Sequence, residues 1–229
     1  MIEKLFCNIC NDDYHNRILK NQAESIRVDK IFDNCPECGS RPRIKTFRII
    51  YDSLVLPIIE KKKAPRNALI ISGVRYTINR VTNDFNMVVS GALYGKYGDN
   101  TIKTDLRDLK EFNNEDFDYV GATLVLDYIE EHEDVFKAVY RVLKKKGLFL
   151  FHIAEARLLE DDTPTFIKNY KKKIIFKEQY PSDYKMPSIK VGKRYIIDRL
   201  MAHNFLVTKR TLIDIFSGVQ CTWFLAEKV

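Results

Sequence analysis

The 229-residue sequence contains no run of about 18 apolar residues, which excludes a helical membrane span. It has no basic-then-apolar leader followed by a cleavage site, so no export signal is expected and the chain is read as cytoplasmic. No internal repeat is present, and the most biased stretch, "NYKKKIIFK", is too short for low complexity. The basic segment from Arg41 to Arg66 shows no aromatic interleaving or motif of an RNA-binding module. What is present points to a folded chain. Hydrophobic residues make up 45% of it, enough to bury a full core, and the length suits one α/β domain with a small appendage. A net charge of +7 and a pI of about 9.0 favour anionic partners at encounter without specifying an activity.

Four of the five cysteines form two pairs, "CNIC" (Cys7, Cys10) and "CPECG" (Cys35, Cys38). Two residues between cysteines let a tight turn aim both thiolates at one ion, and two such knuckles supply the four soft ligands of a tetrahedral zinc. Pro36 and Gly39 suit the second turn. Two disulfides or four idle thiols are the alternative, less compatible with a chain that has no leader. A closed four-thiolate site leaves no position for water, so this zinc would be structural. Cys221, alone in "VQCTWFLAE", reads as an ordinary buried cysteine.

The expected division is a zinc ribbon at 1–44, a linking helix and basic linker at 45–66, and an α/β domain at 67–229. Phe47, Ile50, Leu54 and Ile58 recur at helical spacing, with Pro57 as a kink or end. Between 41 and 66 stand eight basic residues (Arg41, Arg43, Lys45, Arg48, Lys61, Lys62, Lys63, Arg66) against Asp52 and Glu60. They read either as a solvated helix face or as a phosphate-facing patch.

From residue 68, apolar runs alternate with helical segments. "ALIIS", "MVVSG", "TIKTDL", "FDYVGATLVL" and "GLFLFHI" read as five strands of a parallel sheet covered on both faces. "HEDVFKAVYRVLKKKG" reads as a helix with Lys144–Lys146 at its C-terminal end and Gly147 as its stop. "KRYIIDRLMAHNFLVTKRTLI" gives a last helix and strand, and "VQCTWFLAEK" turns back as a final strand, a pair that implies one antiparallel edge strand.

"TDLRDLKEFNNEDFDYVGATLVLDYIEEHEDVFKAVYRVLKKKGLFLFHI" resembles the second half of a class I S-adenosylmethionine-dependent methyltransferase, and with "CPECGSRPR" it is similar to those carrying an N-terminal zinc ribbon. The resemblance implies a Rossmann-like doubly wound sheet and S-adenosylmethionine as cofactor. It implies Asp105 and Leu106 near the adenine, Thr123 and Leu124 beside the methionine moiety, and Ser72 and Gly73 in the first cofactor loop. The departures are specific. The loop "ISGVRY" has Gly73 alone where a glycine-rich turn is usual, and "VVSG" has Ser90 where a ribose-binding carboxylate is expected. Asp84 or Asp99 could substitute for that acid from a neighbouring loop, and Arg75 could hold the cofactor's own carboxylate.

For catalysis the resemblance points to Asp127 and Tyr128, where the family tends to carry a Glu-His pair. His152, at the end of the fifth strand, is a further candidate base, because strand ends in open α/β sheets face the ligand crevice. A structural role for His152 stands equally open. The long connection from Glu155 to Lys193, with Tyr170, Tyr180, Tyr184 and several lysines, is where the acceptor would be recognised. Three functions follow: methyl transfer to a polar, anionic small molecule or glycan, methyl transfer to RNA through the basic region, or an inactive fold that binds a protein partner.

Overall fold

The computed structural model describes residues 40–72, 75–93, 101–154, 158–159, 166–172, 185–214 and 219–229. Cys7, Cys10, Cys35, Cys38, Gly73 and Asp99 lie outside them. The chain groups into two compact units, Met1–Pro57 with Thr211–Cys221, and Ile58–Arg210 with Thr222–Val229.

In the first unit, helix α1 (Pro42–Ile50) starts with proline in its first turn, where no backbone donor is missed. It runs into a π-helical turn at Tyr51–Val55, and α2 (Leu56–Ile59) follows. Pro57 therefore does not end the helical run. It lacks the N–H that would reach the Ser53 carbonyl, and the wide turn before it accommodates that loss. The same turn shifts the apolar stripe: Phe47, Tyr51, Val55 and Ile59 are buried at intervals of four, while Leu54 and Ile58 are only half-buried. Lys45, read as part of a solvated or phosphate-facing run, is buried instead, its Nζ 3.1 Å from Asp214 Oδ2. Cys221 is buried, as expected.

The second unit is built on a sheet of seven strands: β1 (Asn67–Ile71), β2 (Met87–Ala92), β3 (Thr101–Lys103), β4 (Phe117–Thr123), β5 (Leu143–Ile153), β9 (Phe205–Ile213) and β10 (Gln220–Lys228). Their spatial order is β3-β2-β1-β4-β5-β10-β9. Strands β1 to β5 are parallel, and β10 runs antiparallel between β5 and the outermost β9. The apolar runs of β1, β4 and β5 are buried almost throughout because neighbours flank each strand and side chains cover it. Helix α3 (Arg75–Thr82) crosses from β1 to β2, α4 (His132–Val142) from β4 to β5, and α5 (Lys193–Ala202) precedes β9. Val135, Phe136, Val139 and Val142 of α4 join Phe149, Phe151 and Ile153 of β5 in the principal core. Phe151 stacks on Phe224 of β10 at 5.1 Å.

Three expectations change here. The helix ends at Val142, not at the lysines, and β5 begins at once with Leu143. Leu143 pairs with Phe117, but the next pairs are Leu148 with Tyr119, so the lysine segment bulges out of the ladder. Lys146 there has φ 58°, and a Cβ on Gly147 would lie 2.7 Å from the Lys144 carbonyl oxygen, so glycine is needed for the bulge to close. Lys144 and Lys62 both bind Asp118, at 2.8 and 3.5 Å, at the start of β4. Secondly, β3 stops at Lys103 and β4 at Thr123, shorter than their apolar runs, and a 3₁₀ turn follows at Leu126–Tyr128. Thirdly, the long connection after β5 contains a second sheet of β6 (Leu158–Leu159), β7 (Phe166–Lys172) and β8 (Lys185–Gly192), in the order β6-β8-β7. Among the described residues no helix is long and apolar enough to cross a membrane.

Candidate functional site

The strand order reverses between β1 and β4: β2 and β3 continue to one side of β1, β4 and β5 to the other. In an open α/β sheet the crevice outside the carboxyl ends of the strands at such a reversal is where a ligand fits. Both strands end there in the same unusual way. Ser72, immediately after β1, has φ 51°, and Leu124, immediately after β4, has φ 56°. Neither is glycine, and a side chain in the left-handed region costs about 1 to 2 kcal/mol. Hydrogen bonds hold each residue in place, from Ser72 N–H to the Gly91 carbonyl at 2.8 Å and from Leu124 N–H to the His152 carbonyl at 3.1 Å. Strain of this kind concentrates at ligand-binding edges. The structure thus brings Ser72, Thr123 and Leu124 together at one edge.

Ser90 does not reach that edge. Strand β2 runs on to Ala92, and Ser90 lies in its body, paired with Ile70 on β1 and Thr101 on β3. Gly91, read as the end of the strand, lies within it, and glycine is needed there because a Cβ would lie 2.7 Å from Thr104 Cγ2 and 2.8 Å from Ile71 Cδ1. The residue at the carboxyl end of β2 is Ala92, which has no polar side chain. Asp84 lies in the turn before β2, at the amino end of the strand, and pairs with Arg80 at 2.6 Å. It cannot replace a carboxylate at the opposite end. Arg75 begins α3.

Beyond β3, Asp105 is caught by Arg107. The guanidinium Nε lies 3.0 Å from each carboxylate oxygen and Nη2 lies 2.6 Å from Oδ2, while the Arg107 backbone N–H also donates to Oδ1. Partial burial works to raise the Asp105 pKa, but the Arg107 hydrogen bonds prevail and hold it below the ordinary carboxylate value. Arg107 Nη1 reaches Glu131, just before α4, at 3.4 Å. Arg141 on α4 fastens the same loop more firmly, donating to the carbonyls of Asp108, Leu109 and Phe112 and to Asn114 Oδ1. Between loop and helix lies a cleft of about 560 Å³ lined by Asp105, Arg107, Asp108, Glu131, Asp134, Lys137, Ala138 and Arg141. Leu106, next to Asp105, is buried. Sequence reasoning missed Arg107, Glu131 and Arg141. Only the Asp-x-Arg spacing of Asp105 and Arg107 gave a local signal.

His152 is 4% exposed, paired in register with Thr123 and Trp223, and its ring centroid lies 5.0 Å from that of Trp223. Asp127 is 2% exposed, and its Oδ1 accepts a hydrogen bond from Ala154 N–H at 2.8 Å. Tyr128 is half-buried in the 3₁₀ turn. His132 is buried at the start of α4, with Nε2 3.0 Å from the Leu126 carbonyl oxygen, and burial lowers its pKa. Among the described residues no group of His, Cys, Asp and Glu could hold a metal ion.

Comparison with known proteins agrees with this fold. Residues 72–151 match a family model described as a methyltransferase domain. No curated protein sequence matches the chain. Similar solved structures include an S-adenosylmethionine-dependent methyltransferase from Mesorhizobium loti, at TM-score 0.53 and 12% identity over 75% of this chain and 96% of that one. Another is a SAM-dependent methyltransferase from Methanosarcina mazei, at 0.50 and 14% identity over 76% and 97% of the two chains. A third is a glycopeptide N-methyltransferase in complex with S-adenosyl-L-methionine, at 0.51 and 11% identity over 82% and 93%. The chain shares the Rossmann-like fold of these solved methyltransferases, and the family match covers residues 72–151 at its centre.

Proposed function

We propose that this chain is an S-adenosylmethionine-dependent methyltransferase whose cofactor crevice lies beyond the carboxyl ends of β1 and β4. The observation that carries this reading is the reversal of the strand order between β1 and β4, at which both strands end in a left-handed residue, Ser72 and Leu124. The residues there suit the cofactor in part. Ser72, Thr123 and Leu124 would line the methionine end, and Asp105 with Leu106 the adenine end, while Ala92 offers the ribose no side-chain acceptor. Affinity should accordingly be weak. S-adenosylmethionine supplies a methyl group already activated by its sulfonium. The chain's own work is then to hold and orient the reactants and to exclude water. His152, Asp127 and Tyr128 remain the candidates beside the acceptor, with Asp127 positioning the backbone after His152.

The acceptor we infer is a polar, anionic small molecule or glycan, on the basis of the lysine- and tyrosine-rich sequence of β7 and its surroundings. RNA is less favoured, because Lys45, Arg48 and Lys62 of the basic segment are engaged by Asp214, Asp52 and Asp118. A second reading, an inactive fold that binds a protein partner, draws support from Ala92 at the end of β2. Cys7, Cys10, Cys35 and Cys38 are proposed to hold a structural zinc.

Amide hydrogen exchange with and without S-adenosylhomocysteine tests the location. Protection is expected around Ser72, Asp105 and Thr123–Leu124. Protection confined to other segments would move the site elsewhere.

A further inference from the structure

We propose that Arg107 sets the affinity of the cleft for a nucleoside: its guanidinium occupies the carboxylate that the base would use, and the base binds as that ion pair opens. The inference rests on the methyltransferase reading above and concerns its adenine end. The Asp105 carboxylate has about four lone-pair positions. Two side-chain N–H groups of Arg107, Nε–H shared between both oxygens and Nη2–H on Oδ2, together with its backbone N–H on Oδ1, engage them, so a ligand amine must displace one of these donors. The same guanidinium reaches across to Glu131 Oε2 at 3.4 Å, spanning the loop after β3 and the start of α4, both of which line the cleft.

Two observations separate this role from a structural one. Arg141 fastens the loop to α4 through three backbone carbonyls and Asn114, so the loop does not depend on Arg107. The Arg107 side chain is 42% exposed, which makes its ion pairs open to solvent and to salt. With the side chain removed, the backbone N–H of residue 107 still aims Asp105 Oδ1. The freed carboxylate could then accept the exocyclic amine of an adenine. Because S-adenosylhomocysteine carries no net charge, added salt acts mainly on the Arg107 ion pairs. Wild-type affinity should therefore rise with salt, opposite to the behaviour of a charge-driven complex.

The test is calorimetric titration of the full chain with S-adenosylhomocysteine, wild type against Arg107→Ala, at about 20 mM and about 500 mM sodium chloride. The expected result is about threefold to fivefold tighter binding by the variant at low salt, a difference that shrinks at high salt because the wild type improves. A thermal melt should find the variant folded like the wild type. Equal affinities and equal salt responses would overturn the role of Arg107 and leave the cofactor reading standing. No binding by either protein at millimolar ligand would overturn both.

Discussion

Asp127 Oδ1 accepts a hydrogen bond from the Ala154 backbone N–H at 2.8 Å, so the turn after β4 is tied to the exit of β5 beside His152. Asp127 is buried, and its loss would leave the Ala154 donor without this acceptor. Asp127→Ala should cost about 1 to 3 kcal/mol of stability, whereas Asp127→Asn, which keeps an acceptor oxygen, should cost clearly less. Urea unfolding of both variants checks this. An alanine variant as stable as wild type would mean that the tie contributes nothing.

Lys45 and Asp214 form an ion pair with each side chain 4% exposed. Removing one partner strands a buried charge, so Lys45→Met should destabilise the protein by about 3 to 5 kcal/mol. The double variant with Asp214→Leu should recover most of that loss. Chemical denaturation of the single and double variants separates these outcomes, and additive losses would contradict the pairing.

His132 carries a pH dependence. Burial is the largest influence on it and lowers its pKa from the ordinary 6.5, against the hydrogen bond to the Leu126 carbonyl and the nearby Glu133 and Glu131. The unfolded chain binds the proton more readily, so the stabilisation is complete above about pH 6.5 and is lost as pH falls through the lower folded value. Stability measured from pH 7.5 down to about pH 5 should fall in the wild type and fall less in His132→Gln. Parallel profiles would assign the acid sensitivity to other groups.

Zinc is the prediction for Cys7, Cys10, Cys35 and Cys38. Elemental analysis of protein purified without chelator should find one zinc per chain, and Cys35→Ser should lose it. Protein free of zinc under those conditions would remove the proposed ribbon.

Most of the sheet was legible because β1, β4 and β5 are apolar runs that read as strands without tertiary context. The end of β2 was not. Gly91 looks like a stop in isolation, and its real constraint, the approach of Ile71 and Thr104, comes from other strands. Lys144–Lys146 suit a helix terminus by local charge, yet they become a bulge because β5 must keep register with β4. The site was half legible: Ser72, Leu124 and Asp105 stand at strand exits, as their positions in sequence imply. The partners that define the Asp105 cleft were not. Arg141 acts on carbonyls about 30 residues away, a relationship with no local pattern.

Equilibrium titration of the wild-type chain with S-adenosylhomocysteine tests the central claim most directly, that the crevice beyond β1 and β4 binds this cofactor. The account predicts saturable binding at one site per chain, with a dissociation constant roughly in the upper micromolar range because Ala92, at the end of β2, supplies no charged acceptor to the ribose. Absence of saturable binding at millimolar ligand would contradict it and leave the sheet as a scaffold for other partners.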